Sequence, residues 1–279
     1  MNALIVSANG IPVGTIEIEN GRWKFSYAAE WKDYALSPNF PIATRKFEDT
    51  ADAKPVEWFF ENLLPEGRLR DLIAFRDRID PRDTWALLIR HGQDTAGALS
   101  LIPEGFDAAI GEILVPLARE ALQEKIEESR SRNLPLMASW EEIRMSLAGA
   151  QEKLGLRIDA HGAMFLPEGS APSTHIVKPE NASADFPHCP ANEFFCMRLA
   201  HELKVPVPAV GLLHLPEPLY VIERFDRAPL YKSPEKAAGR AFGRLHQIDL
   251  CQALGVAPSK KYESEGGLGL HHLFGVLRG

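Results

Sequence analysis

The sequence predicts an α+β protein in two parts: a β-rich N-terminal subdomain, then a lobe built on an antiparallel sheet with one packed helix. The first part follows from Asn9-Gly10 and Asn20-Gly21, which interrupt the strand-like runs "ALIVSA", "VGTIEIE" and "RWKFSY". Asn-Gly between such runs is the strongest short-range hairpin signal. The second part follows from what comes after the charge run "EKIEESRSRN", where short strand candidates surround one amphipathic helix. With 279 residues, 45% hydrophobic and 25% charged, the chain can bury one large core or two smaller ones.

Each element has its own signal. In "TIEIE", Ile16 and Ile18 share one face of a strand and Glu17 and Glu19 the other. Helical pattern begins at about Pro55, in "PVEWFFENLLPEGRLRDLIAFRDRI", and Pro65 and Gly67 divide it into two helices. Asp83 is placed to cap a third, "TWALLIRHG", which stops at Gly92, and "GALSLIPEG" returns as a strand. From about Phe106 to Trp140 the composition shifts, and the charge run "EKIEESRSRN" within it reads as a solvated helix or linker. A boundary is expected near Leu134, dividing the chain into 1–133 and 134–279. Beyond it, "KLGLRID", "AMFLP" and "THIVKP" are strand candidates, and "ANEFFCMRLAHEL" is a helix with Phe195, Leu199 and Leu203 at helical spacing. Two further strands, "AVGLLHL" and "LYVIERFDR", precede a helical "LHQIDLCQALG" and a Gly-rich end. Strands, helix, strands, helix is the order of a kinase-type small lobe, an order many α+β domains share.

Composition narrows the function classes. A net charge of −7 argues against a chain that coats nucleic acid by itself. No window approaches the roughly 18–20 apolar residues of a membrane span, and "MNALIVSANGIPVG" lacks the basic start of a secretory signal. Cys189, Cys196 and Cys251 are odd in number and widely spaced, which fits a reducing compartment. The cytoplasm is the expected location, with no membrane partner. Walker-type, G-x-G-x-x-G and G-x-S-x-G signatures do not occur in a fitting context. His188, Cys189, Cys196 and His201 are near in sequence, but Cys196 and His201 diverge on a helix, so no metal site is expected.

The stretch "SLAGAQEKLGLRI" carries the most specific chemistry. Gly149, between Ala148 and Ala150, allows close backbone approach, its amides can face anionic oxygens, and Lys153 adds a charge. Lys178 ends the strand "THIVK" on the face of Ile176, where it reads as a cation reaching toward phosphate or as a strand-end amine in water. Glu193, early in the next helix, reads as the partner of Lys178 or as an exposed carboxylate favoured by the helix dipole. "VIERFDR" offers backbone groups to an adenine edge, or is a strand end with a charged turn.

Taken in order, "SLAGAQEK", "THIVK", "NEFFCMRLAHEL", "VIERFDR", "DLCQALG" and "KYESEGG" resemble HipA, a bacterial family of protein serine/threonine kinases in toxin–antitoxin modules. "FFENLLPEG" and "GQDTAGALSLIPEG" resemble its N-terminal subdomain, so the resemblance runs through nearly the whole chain. It implies ATP and Mg²⁺ as cofactors. It makes Ala148, Gly149, Ala150, Gln151, Glu152 and Lys153 the phosphate-covering loop, Lys178 the ATP-binding lysine held by Glu193, and Glu223, Arg224 and Phe225 the adenine-contacting hinge. Ser146 matches the serine the family autophosphorylates; a phosphate there would add roughly two negative charges and favour an open, inactive loop. The implied partners are a HipB-like helix-turn-helix antitoxin, operator DNA through that antitoxin, and a protein substrate such as glutamyl-tRNA synthetase.

The family's Asp-Gly-His-x-Lys-Asn catalytic loop and metal-binding Asp do not occur here, so no residue is assigned as catalytic or as a metal ligand. Asp226 and Asp249 belong to the hinge turn and the following helix instead. The expectation is a HipA-like kinase toxin without its catalytic lobe and inactive alone. The alternatives are a non-enzymatic regulator that binds the antitoxin, and one half of a split kinase whose large lobe is a separate polypeptide. An exposed apolar surface is expected over residues 268–277.

Overall fold

The computed structural model describes residues 3–105, 112–132, 134, 136, 140, 151–180, 187–229 and 242–278. Both Asn-Gly pairs turn the chain: φ is 51° and 77° at Asn9 and Gly10, and 52° and 75° at Asn20 and Gly21. A two-residue hairpin loop of this type needs positive φ at both positions. The strands they join are β1 (Ala3–Ala8), β2 (Ile11–Glu19) and β3 (Arg22–Tyr27). With β4 (Lys46–Glu48) and β5 (Leu99–Pro103) they form an antiparallel sheet in the order β4-β3-β2-β1-β5. The predicted alternation holds, because Ile16 is fully buried opposite Phe25 and Leu4.

Two helices seal this sheet: α1 (Pro55–Glu61) and α3 (Thr84–His91). Phe59 and Phe60 of α1 meet Phe25 and Phe40 largely edge-on, the geometry that aromatic quadrupoles favour. Asp83 caps α3 by accepting from the Ala86 N–H at 3.0 Å, and Gly92 ends it, both as the sequence indicates. Between them, α2 (Gly67–Asp77) follows the break at Pro65 and Gly67, and its Leu69 and Ile73 enter a second core.

The second sheet contains β6 (Glu112–Leu117), β7 (Leu154–Ile158), β8 (Met164–Gly169), β9 (His175–Lys178), β10 (Val210–His214) and β11 (Pro218–Glu223). Its order is β10-β11-β9-β7-β8-β6, with antiparallel neighbours. Helix α4 (Arg119–Ser131) packs here through Leu122 and Ile126, and α5 (Cys189–Glu202) packs against β10 and β11. After the short pair β12 (Arg227–Pro229) and β13 (Phe242–Arg244) come α6 (Leu250–Leu254) and α7 (Leu270–Arg278).

Three features differ from the sequence reading or refine it. The charge run is helix rather than linker, as one of the two readings had it, but it is not wholly solvated: Ile126 within it and Leu122 just ahead of it are buried, and burying such side chains stabilises by about 1.5–3 kcal/mol each. Sheet pairing and core membership also place 112–131 with the second lobe, ahead of the boundary expected at Leu134. Helix α5 forms where expected, yet Phe195, Leu199 and Leu203 are exposed at 64%, 48% and 68%. The inward face instead carries Pro190, which is buried, with Glu193, Phe194, Met197 and Ala200 half-buried. Leu270, Phe274 and Val276 of α7 are exposed, as expected of 268–277. Among the described residues no helix is long and apolar enough to cross a membrane.

Candidate functional site

Strand alternation sets the site. In β9, Val177 points into the core while Ile176 and Lys178 face a cleft of about 370 Å³. Helix α5 packs against β10 and β11 and reaches β9 through Glu193, so that Lys178 Nζ lies 2.6 Å from Glu193 Oε2. Gln151 donates from Nε2 to the other oxygen, Oε1, at 2.9 Å. Both oxygens of Glu193 are thereby held, which fixes the Lys178 ammonium at the cleft wall. Behind it, Tyr220 lies opposite Lys178 in the sheet with its ring centroid 5.7 Å from Nζ. Burial pushes the Tyr220 phenol up to about 12, with the nearby Glu193 charge adding to the effect.

Lys153, just before β7, lines the same cleft and is only 8% exposed. Burial, then repulsion from Lys178, brings its pKa down to about 8. Glu152 points elsewhere: it accepts from the Leu136 backbone N–H, and burial raises its pKa. Ser146, Ala148, Gly149 and Ala150, the front of the expected loop, lie outside the described residues.

The opposite wall contains the segment expected to act as hinge. The Glu223 N–H donates to Ala209 O at 2.9 Å and the Arg224 N–H to Thr174 O at 2.8 Å, which holds this backbone against the cleft. The Phe225 side chain is exposed at the cleft. The Arg224 guanidinium is not offered to a ligand. It donates to Asp226 at 2.9 and 2.7 Å, to Ser173 Oγ at 2.8 Å and to Thr95 O at 3.0 Å. Its backbone is engaged as well, the N–H with Thr174 O and the carbonyl accepting from the Arg227 N–H at 3.2 Å, so Arg224 offers adenine at most a shared carbonyl oxygen.

That guanidinium belongs to a buried cluster which the sequence reading missed. Asp94 Oδ1 accepts from Arg227 at 2.9 Å and from Arg244 at 2.6 Å, and Oδ2 accepts from Ser173 Oγ at 2.7 Å. Asp226 Oδ2 accepts from the Gly97 N–H at 2.8 Å. Burial alone would raise both carboxyl pKa values. The charges of Arg244, Arg224 and Arg227 at Asp94, and the hydrogen bonds and charge of Arg224 at Asp226, more than offset it and hold both below the usual range. The cluster ties residues 94–97 of the first subdomain to residues 224–227. Asp249, excluded above as a metal ligand, caps α6 in a reciprocal arrangement with Gln252.

The arrangement is chemically asymmetric. Two lysines on one wall and a fixed strand backbone on the other suit a phosphorylated, planar ligand. Among the described residues no group of three His, Cys, Asp or Glu side chains is placed to hold a metal ion.

Comparison with known proteins gives a consistent result. Residues 4–102 match the family described as HipA N-terminal domain, and 145–279 match the HipA-like C-terminal domain. A putative kinase of Sinorhizobium fredii is 36% identical over 264 residues, covering 91% of this chain and 59% of that protein. The serine/threonine-protein kinase toxin HipA of Shewanella oneidensis is 34% identical over 248 residues, covering 87% of this chain and 52% of that one. Among solved structures, HipA of Shewanella oneidensis in complex with HipB and its operator DNA aligns with a TM-score of 0.72 at 30% identity, over 96% of this chain and 60% of that one. The chain thus spans between half and two thirds of the length of these relatives.

Proposed function

Since the chain belongs to the HipA family of kinase toxins, we propose that its cleft binds ATP, with the phosphates on Lys178 and Lys153 and the adenine on the backbone of Glu223, Arg224 and Phe225. The observation that carries this reading is the Lys178–Glu193 pair, locked by Gln151 and facing the cleft with the buried Lys153. A lysine held by a helix carboxylate keeps its cation aimed at the site, and much of catalysis in phosphoryl transfer is such positioning. Mg²⁺ would help to neutralise the triphosphate when bound. Calorimetric titration of the chain with ATP tests the reading. Binding is expected, and Lys178→Ala or Glu193→Gln is expected to weaken it about tenfold or more, the worth of a hydrogen bond to a charged group. Equal affinity in the variants would refute the assignment.

Transfer of the phosphoryl group to a protein side chain, with glutamyl-tRNA synthetase as the target type, is proposed of the whole protein. So is partnership with a HipB-like antitoxin and, through it, operator DNA. Support for the latter is the similarity over 96% of the chain to a HipA solved with HipB and operator DNA. Co-elution with such an antitoxin in size-exclusion chromatography would test it, and separate elution would count against it. Phosphorylation of Ser146 is likewise proposed; Ser146→Asp should weaken ATP binding if charge there opposes the phosphates.

A further inference from the structure

Two motifs have no part in the cleft as described: "FFENLLPEG" in the first subdomain and "KYESEGG" after α6. The structure brings them together there. Glu66, just ahead of α2, accepts from Lys261 Nζ at 2.7 Å through Oε1 and from the Tyr262 hydroxyl at 3.3 Å through Oε2. Asp249 Oδ2 lies 3.5 Å from the same ammonium. Lys261 lines the cleft that Lys153 and Lys178 line, and its side chain is 26% exposed. The segment is anchored on the first subdomain nearby, where Gln252 donates to Phe59 O at 2.9 Å and Asn62 to Val256 O at 3.2 Å.

We propose that Lys261 is a third phosphate-facing cation of the cleft and that Glu66 is its positioning residue, so that the N-terminal subdomain tunes affinity for the polyphosphate end of the ligand. The inference rests on the nucleotide reading above and names a further part of that site.

The convergence of ammonium groups supports it. Lys153, Lys178 and Lys261 all line the cleft, and Glu193 and Glu66 hold two of them at its wall. A tie that only joined two segments would need no neighbouring lysines. Here Lys153 sits within the field of both Lys178 and Lys261, and these like charges add to burial in lowering its pKa. Gathering ammonium groups around a cleft costs free energy that an entering anion recovers. Lys261 is held at that cleft by a carboxylate from another subdomain, which orients the amine without removing it from the ligand's reach.

The test is calorimetry on the full chain with ATP, AMP and inorganic tripolyphosphate. Lys261→Gln should weaken ATP and tripolyphosphate binding about tenfold or more while leaving AMP affinity unchanged. Glu66→Gln releases the Lys261 amine from its position and should weaken ATP and tripolyphosphate binding severalfold while leaving AMP affinity unchanged. A purely structural tie would lower the melting temperature and alter all three ligands alike, or none, and either pattern overturns the proposal. If Lys261→Gln fails to fold, Glu66→Gln and Lys261→Arg carry the same comparison. Should the unaltered chain bind no nucleotide, the reading of the cleft falls as well. If it binds ATP through Lys178 and Lys261→Gln changes nothing, only this inference falls.

Discussion

Replacing Asp94 with Asn removes the anion around which Arg227 and Arg244 are packed, with Arg224 3.6 Å away. The side chains of all three arginines are at most 6% exposed, so water cannot take over the lost charge. The cluster then holds three guanidinium groups against Asp226 alone. Breaking one side of a buried ionic network costs about 3–5 kcal/mol. At about 2–4 °C per kcal/mol for a chain of this size, the melting temperature should fall by about 6–20 °C. Differential scanning fluorimetry at neutral pH reads this directly. Acid titration gives a second, independent readout. The folded-state pKa of Asp94 is depressed. Its contribution is therefore complete above the unfolded value of about 3.9 and is lost as pH falls through the lower folded value. The unaltered chain should lose stability below about pH 4 more steeply than Asp94→Asn. A melting shift under about 2 °C, the size of a surface substitution, would refute the claim that this network joins residues 224–227 to the first subdomain.

Gly97→Ala should destabilise by about 1–2 kcal/mol, because φ is +77° there and an added Cβ would come within 3.1 Å of Gln247; an unchanged denaturation midpoint would contradict this. Lys153 is charged below about 8 and neutral above it in the folded chain, so affinity for tripolyphosphate should fall as pH rises through that value, and a flat profile would remove Lys153 from the site. Through linkage, the same depressed pKa makes folding stability rise between about 8 and the ordinary lysine value of about 10.4, where the unfolded chain binds more protons; Lys153→Met should abolish that slope in urea titrations.

What the sequence discloses here depends on how local the cause is. The Asn-Gly turns and the Asp83 cap lie within a few residues of the groups they organise, and both are legible. The stripe of α5 is not. Phe194 and Phe195 are adjacent, so two apolar stripes overlap, and the inward one is the stripe that also carries Glu193 to Lys178. That choice is made by a contact across the fold. The pairing of Lys178 with Glu193 is legible from the motifs, whereas the engagement of the Arg224 side chain in the buried cluster is not. The cluster itself is hidden because Ser173 and Arg244 meet Asp94 from 79 and 150 residues away, and Arg and Asp in sequence ordinarily signal surface. Glu66 and Lys261, 195 residues apart, were visible only as parts of two motifs without an assigned role.

A co-crystal structure of the chain with a non-hydrolysable ATP analogue tests the central claim most directly. The account predicts adenine against the backbone of residues 223–225 and phosphate oxygens about 3 Å from the amines of Lys153 and Lys178. An analogue bound elsewhere, or an adenine in the cleft with its phosphates turned away from both lysines, would contradict it.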